Sequence, residues 1–175
     1  FGYNVDADPA ALWRTSNFDV GFGKWLLRRP IGWHFSQHEG HQEGAIASRA
    51  DSADGRWEIF FERATFMRGE ETSRQNAESL LQQILELRIP GLSGAPVVER
   101  FSGAIIVSTR LANNDARLSR GFRWYILRII PEGVLLFRKT LSCSAADAES
   151  PQEQALIRFC QATAQEAAEI GRAHV

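Results

Sequence analysis

Four strand-like runs crowd the middle of the chain, at residues 96–101, 104–111, 122–130 and 134–141, each bounded by Gly, Pro, Asn or Asp. Two of their connections, Ser102-Gly103 and Pro131-Glu132-Gly133, are only two and three residues long. A parallel crossover needs a dozen residues or more, so segments joined this tightly lie antiparallel. The run therefore predicts a meander. Its third strand adds a second constraint, because Phe122, Trp124, Ile126 and Ile130 fall on one face and Tyr125, Leu127 and Ile129 on the other. A strand that is apolar on both sides is central and needs cover above and below the sheet.

Two segments can supply that cover. Thr72-Ser73 followed by Gln75-Asn76 opens a helix, the hydroxyl accepting from backbone amides that otherwise lack partners. Ala77, Leu80, Leu81, Ile84, Leu85 and Arg88 then recur at helical spacing until Pro90-Gly91 stops them. Ser150-Pro151-Gln152-Glu153 opens the second helix, with Ser at the N-cap, Pro at the first helical position and Glu at the third for a capping box. Its apolar stripe is Leu156, Phe159, Cys160, Thr163, Ala167 and Ile170, and Gly171 ends it. Ahead of both helices, residues 45–49 and 56–63 flank the turn signal Asp51-Ser52-Ala53-Asp54-Gly55 and read as a hairpin. In the second of these runs Trp57, Ile59 and Phe61 share one face, and Glu58, Phe60 and Glu62 the other.

The fold class is α+β, an antiparallel, meander-rich sheet of about six strands with helices packed on both faces, an α/β/α sandwich. At 175 residues, 44% hydrophobic and 23% charged, the chain can bury one core and fold alone. Residues 1–175 read as a single domain, irregular over 1–44 and regular over 45–175. Within 1–44, Asp8-Pro9, Asn17 and Gly21-Phe22-Gly23 interrupt every period. The expectations there are a short helix over 10–14, short strands over 18–20 and 24–28, and a turn at Pro30-Ile31-Gly32-Trp33 that buries the indole. A polar loop is expected over 34–44.

This pattern resembles the Mog1/PsbP-like superfamily, in which a strand runs into a proline, a glycine and a tryptophan before a hairpin, a helix, a meander and a closing helix. The residues that carry the resemblance are Pro30, Gly32 and Trp33, the strand over 55–63 and the helix over 73–88. The paired strands around Arg123-Trp124-Tyr125 and Leu136-Phe137-Arg138 and the closing helix Pro151–Ile170 complete it. It covers the chain from about Phe18 onward and departs at the N-terminal segment that holds Trp13 and Trp25. That superfamily includes a nuclear-transport cofactor, photosystem assembly proteins, bacterial lipoproteins and chaperones of secreted toxins. The resemblance thus implies a non-enzymatic binding protein, such as a chaperone or immunity partner of a secreted bacterial toxin, or a cell-envelope accessory protein. A fold likeness by itself transfers no site.

A net charge of −1 and a pI near 6.5 provide no global field for phosphate backbones or anionic headgroups. The expected partner is therefore another protein, with a homodimer as the alternative, and not nucleic acid. No apolar run reaches the ~18 residues that span a bilayer. The chain opens Phe1-Gly2-Tyr3-Asn4-Val5 without a Met, which suggests a processed or trimmed chain. The cytoplasm is the expected compartment, and the periplasm or cell envelope after signal removal is the alternative.

Chemistry-bearing clusters are few. Cys143 and Cys160 form neither a disulfide framework nor a metal knuckle and read as partly buried thiols. There is no Gly-x-Ser-x-Gly elbow, and Gly21-Phe22-Gly23 is too short for a dinucleotide fingerprint, so no catalytic residue and no cofactor are expected. His34, His38 and His41, interleaved with Glu39 and Glu43, are the one metal-like set, suited to zinc or nickel in a metal-dependent enzyme. Gln42 stands where a zincin helix needs its second His, and Gly40 and Gly44 oppose a helix, so a solvated polar loop is the default. Arg110, Arg117, Arg120, Arg123, Arg128 and Arg138 either align as a basic stripe or pair with the chain's 21 acidic residues. Arg128 shares the aromatic face of the central strand and needs a partner or a way out to water. Trp33, Trp57 and Trp124 are assigned to the core. Trp13, Trp25, Arg123 and Arg128 are the candidate partner-binding residues.

Overall fold

The computed structural model describes residues 13–19, 24–30, 32–39, 46–68, 73–86, 92–112 and 118–170. Five strands come first: β1 (Trp13–Asp19), β2 (Lys24–Pro30), β3 (His34–Glu39), β4 (Ile46–Asp51) and β5 (Trp57–Arg68). Helix α1 (Ser73–Glu86) follows, then β6 (Leu92–Arg100), β7 (Ala104–Ala112), β8 (Arg120–Ile130), β9 (Gly133–Cys143) and α2 (Pro151–Ile170). Strands β1 and β2 pair with each other. The remaining seven form one sheet in the order β3-β4-β5-β9-β8-β7-β6, and every pairing is antiparallel.

The meander expected from the short connections is present as β6 to β9, and β8 lies inside the sheet between β7 and β9. The hairpin is β4 and β5, turned by Ser52 to Gly55, where Gly55 has φ 72° and its N–H donates to the Ser52 carbonyl at 2.9 Å. Beyond these local pairings, β9 lies beside β5, which joins the two halves of the chain into one sheet. That contact spans the whole of α1 and the first three meander strands, and no local pattern encodes it.

The N-terminal reading needs correction. Residues 34–39 form a strand where a polar loop was expected, and its ladder runs from His34 opposite Asp51 to Glu39 opposite Ile46. As an edge strand of His, Phe, Ser, Gln, His and Glu it has no apolar alternation to read, and β4 supplies its order through backbone hydrogen bonds. Trp13 and Arg14 begin β1 instead of ending a helix, and β2 continues to Pro30. Residues 10–12 and 40–44, which complete the expected helix and loop, lie outside the described residues. The sheet also has seven strands, with two more in β1 and β2, where about six were expected.

Alternation along β7, β8 and β9 sends neighbouring residues into two clusters. Ile106, Trp124, Ile126, Phe137 and Leu141 pack with Leu156, Phe159 and Cys160 of α2 and with Trp57 and Ile59 of β5. Ile105, Val107, Tyr125, Leu127 and Leu136 pack with Ala77, Leu80, Leu81 and Ile84 of α1. Trp33, Trp57 and Trp124 are buried, as their positions predict.

The start of α2 is fixed by a charge. Ser150 Oγ accepts the N–H of Glu153 at 3.1 Å, which is half of a capping box. The Glu153 carboxylate turns outward by one residue and accepts the N–H of Glu149 at 3.0 Å. Glu149 has φ 61°, a left-handed conformation that is costly for a side chain of its size, and this hydrogen bond helps to hold it. Glu153 is only 1% exposed. Arg110 of β7 forks onto it at 2.8 and 3.3 Å, and the Cys143 thiol of β9 donates to it at 3.3 Å. Beside it, Arg56 ion-pairs with Asp147 in the same turn.

Burial pushes the Glu153 carboxyl upward, but the Arg110 guanidinium, the Glu149 amide and the Cys143 thiol outweigh it and hold the folded carboxyl below its ordinary 4.5. A carboxyl lowered in the folded state contributes stability that is complete above its unfolded value and is lost as pH falls through the folded one. Glu153→Gln should therefore cost about 2 kcal/mol in urea unfolding at neutral pH. The gap between variant and parent should narrow as pH falls below about 4.5; a gap that stays constant from neutral to acid pH refutes this role.

Candidate functional site

Helix α1 packs on β7, β8 and β9. Beyond the helix, the same side of the sheet carries three cross-strand rows. They are Glu58–Ser142–Gly121, Phe60–Thr140–Arg123 and Glu62–Arg138–Tyr125, read across β5, β9 and β8. Residues opposite one another in a ladder share a face, and Tyr125 belongs to the α1 cluster, so all three rows lie on the α1 side. The sequence dictates the polarity of this surface. On β5 the alternation puts Trp57 and Ile59 toward α2 and leaves Glu58, Phe60 and Glu62 facing the other way. On β9 it likewise separates Phe137 and Leu141 from Arg138, Thr140 and Ser142.

Glu58, Phe60, Glu62, Arg123, Arg138, Thr140 and Ser142 line an open groove of about 320 Å³. Gly121 closes the first row without a side chain. A Cβ there would stand 3.1 Å from the Leu141 carbonyl oxygen and 3.7 Å from Ser142 Oγ, so glycine avoids a tight backbone contact and keeps that end clear. The groove has two acids and two bases. Arg138 Nη2 donates to Glu62 Oε1 at 2.5 Å, and Glu62 is nearly buried. Arg123 is held differently, by neutral oxygens: its Nε donates to Thr140 Oγ1 at 3.0 Å and its Nη1 to the Tyr125 hydroxyl at 3.4 Å. Its guanidinium carbon lies 5.9 Å from the centre of the Tyr125 ring. Among the described residues no carboxylate lies within ion-pair distance of Arg123, whereas Arg56, Arg100, Arg110 and Arg138 each have one. Such a surface can grip a partner's charged and aromatic groups in fixed positions.

The sequence candidates separate. Arg123 lies in the groove. Arg128, five positions further along β8, points to the opposite face and is 9% exposed. A Cβ on Gly103 would stand 3.2 Å from its Nη1, so a glycine makes room for the guanidinium, and burial lowers its pKa. Trp13 lies opposite Pro30 and Trp25 opposite Phe18 in the β1–β2 ladder; their side chains lie outside the described part of the structure. His34 is exposed on β3, and His38 is four positions along the same strand, roughly 13 Å away at strand rise. His41 lies outside the described residues, among which no group of three His, Cys, Asp or Glu could hold a metal. The arginines do not form one stripe: Arg110 is tied to Glu153 and Arg128 is interior, while Arg123 and Arg138 share the groove; Arg117 lies outside the described residues.

Sequence reading missed Thr140 and Ser142 as neighbours of Arg123. Their alternation on β9 was visible, but only the β5–β9–β8 register sets them beside Glu58, Phe60 and Glu62. It also missed Lys139, a buried ammonium on the α2 side that donates to Thr163 Oγ1 and, at 3.4 Å, to the Cys160 carbonyl.

Comparison with known protein families, curated proteins and solved structures finds no match to this chain. Among the described residues no helix is long and apolar enough to cross a membrane.

Neither thiol is set up as a nucleophile. Burial, with the Glu153 carboxylate beside it, pushes Cys143 up to about 12, and burial raises Cys160 as well. A thiol attacks as its thiolate. Ellman's reagent should therefore leave both cysteines unmodified in the native protein at neutral pH and modify both in guanidinium chloride; rapid native labelling of either one contradicts the packing between α2 and the sheet.

Proposed function

We propose that this chain is a non-enzymatic protein-binding module that presents the groove on the α1 side of its sheet to a partner, as a chaperone or immunity partner of a secreted bacterial toxin would. The observation that carries this reading is the set of side chains that line the groove beside α1. They combine an aromatic ring, Phe60, with ordered charges of both signs, and arginine and aromatic side chains are the groups most often dominant in protein interfaces. Charge balance favours a protein partner over nucleic acid, because Glu58 and Glu62 offset Arg123 and Arg138, whereas a phosphate-backbone site needs a surplus of bases. The groove is open, which suits a protein surface better than the enclosed pocket a small substrate needs.

The two core clusters support reading the fold as a three-layer α/β/α sandwich, with α1 on one face and α2 on the other, as a Mog1/PsbP-like chain would have. In this reading the part of the α1 side that holds the groove is the docking surface, and the cytoplasm is the proposed location.

A photo-crosslinker tests the proposal directly. With p-benzoylphenylalanine in place of Phe60, irradiation in the native host should produce one discrete protein adduct. The same group at Arg158, exposed on α2, should produce none. Charge reversal by Arg123→Glu should weaken the complex by about 2 kcal/mol, roughly thirtyfold. Identical adducts at positions 60 and 158, or no adduct at 60, sink the proposal.

A further inference from the structure

We infer that Arg123 is a receptor for a single carboxylate, contributed by an acidic side chain or a chain terminus of the partner; this rests on the protein-binding reading above. A guanidinium has five N–H donors. In Arg123 one is spent on Thr140 Oγ1 through Nε and one on the Tyr125 hydroxyl through Nη1. The remaining Nη1 and Nη2 donors form the end-on pair that matches the two oxygens of a carboxylate. Thr140 is 8% exposed and Tyr125 4% exposed, so the two groups that orient the fork are themselves packed in place. The head group is thus aimed before any ligand arrives, which reduces the ordering cost of binding.

The neighbours define the ligand's charge. Glu62 is already paired with Arg138 at 2.5 Å, and that pair lies one row from Arg123 on the same face. With Glu58 and Glu62 both lining the groove, a dianion such as phosphate meets two carboxylates, whereas a planar monoanion satisfies Arg123 with less repulsion. Phe60 and Arg123 are both paired with Thr140, from opposite sides. The ring therefore provides an apolar wall for the carbon chain that carries the carboxylate.

The test follows the Nε–Hε resonance of Arg123 in arginine-labelled full-length protein, identified by its absence in Arg123→Lys. N-acetylaspartate amide supplies a side-chain carboxylate, N-acetylglycine a terminal one, and the stronger of the two names the source. At least one should shift the resonance saturably in the millimolar range, and Thr140→Val, which frees Nε, should weaken that binding several-fold. Arg123→Lys, which keeps the charge without the fork, should lose saturable binding as followed by amide shifts around the groove, so a poorly folded Thr140→Val leaves the inference testable. Equal shifts from N-acetylasparagine amide or from sodium chloride at matched ionic strength overturn it, as does stronger binding of inorganic phosphate. If the Phe60 crosslink is formed and is lost in Arg123→Glu while both carboxylates fail, this inference falls and the protein-binding reading stands. Carboxylate binding without any crosslink has the reverse meaning.

Discussion

A buried carboxylate holds this molecule's second helix in place. Taking Glu153 out of water costs several kcal/mol unless its oxygens are fully engaged, and here they accept from Arg110 on β7, Cys143 on β9 and the amide of Glu149. One side chain thus ties the start of α2 to two strands and to the turn that precedes it. Ten residues further on, about 15 Å along the helix axis, Thr163 receives the ammonium of Lys139 from β9. Between these polar anchors lie Leu156, Phe159 and Cys160, whose burial supplies the non-directional part of the attachment. Apolar packing alone would tolerate a sliding helix; two polar anchors, Glu153 held by Arg110 of β7 and Thr163 held by Lys139 of β9, select one register.

The α1 side is arranged differently. There Ala77, Leu80, Leu81 and Ile84 pack on Ile105, Val107, Tyr125 and Leu127, and among the described residues no ionic anchor as buried as Glu153 joins them. The strands on that side change character where the helix stops. Leu136 of β9 packs under α1, whereas Arg138, Thr140 and Ser142 along the same face border the groove. On β8, Leu127 and Tyr125 lead to Arg123 in the same way. The boundary between core and groove is therefore written into the alternate positions of β8 and β9. Tyr125 belongs to both: its ring packs with the α1 cluster and its hydroxyl accepts from Arg123.

The legible parts of the fold are those set by short-range chemistry. The Ser102-Gly103 and Pro131-Gly133 connections predict the meander, and Ser150-Pro151-Gln152-Glu153 predicts the start of α2 at the residue observed. The β5 alternation predicts which of its faces is apolar. The polar strand β3 was illegible because an edge strand needs no apolar face to be ordered, only a neighbour's unpaired amides and carbonyls. Arg128 was marked by its place on an aromatic face, and it is interior. It lies on the opposite face from Arg123 because an odd separation along a strand alternates the two side chains.

By itself the sequence determined the class of this protein, its two helices, the four-strand meander and the apolar face of β5, all from periods of two and 3.6 and from Gly, Pro and Ser at element ends. Only the tertiary structure decided that β9 returns to β5, and with it the row of Phe60, Thr140 and Arg123. It likewise decided that Glu153 would be enclosed by Arg110 and Cys143. The physical reason is the same in each case. Local chemistry acts over a few residues of chain, whereas the buried ion pair joins residues 43 positions apart and the β5–β9 rows of the groove join residues 76 to 84 apart, whose meeting depends on the packing of the whole sheet.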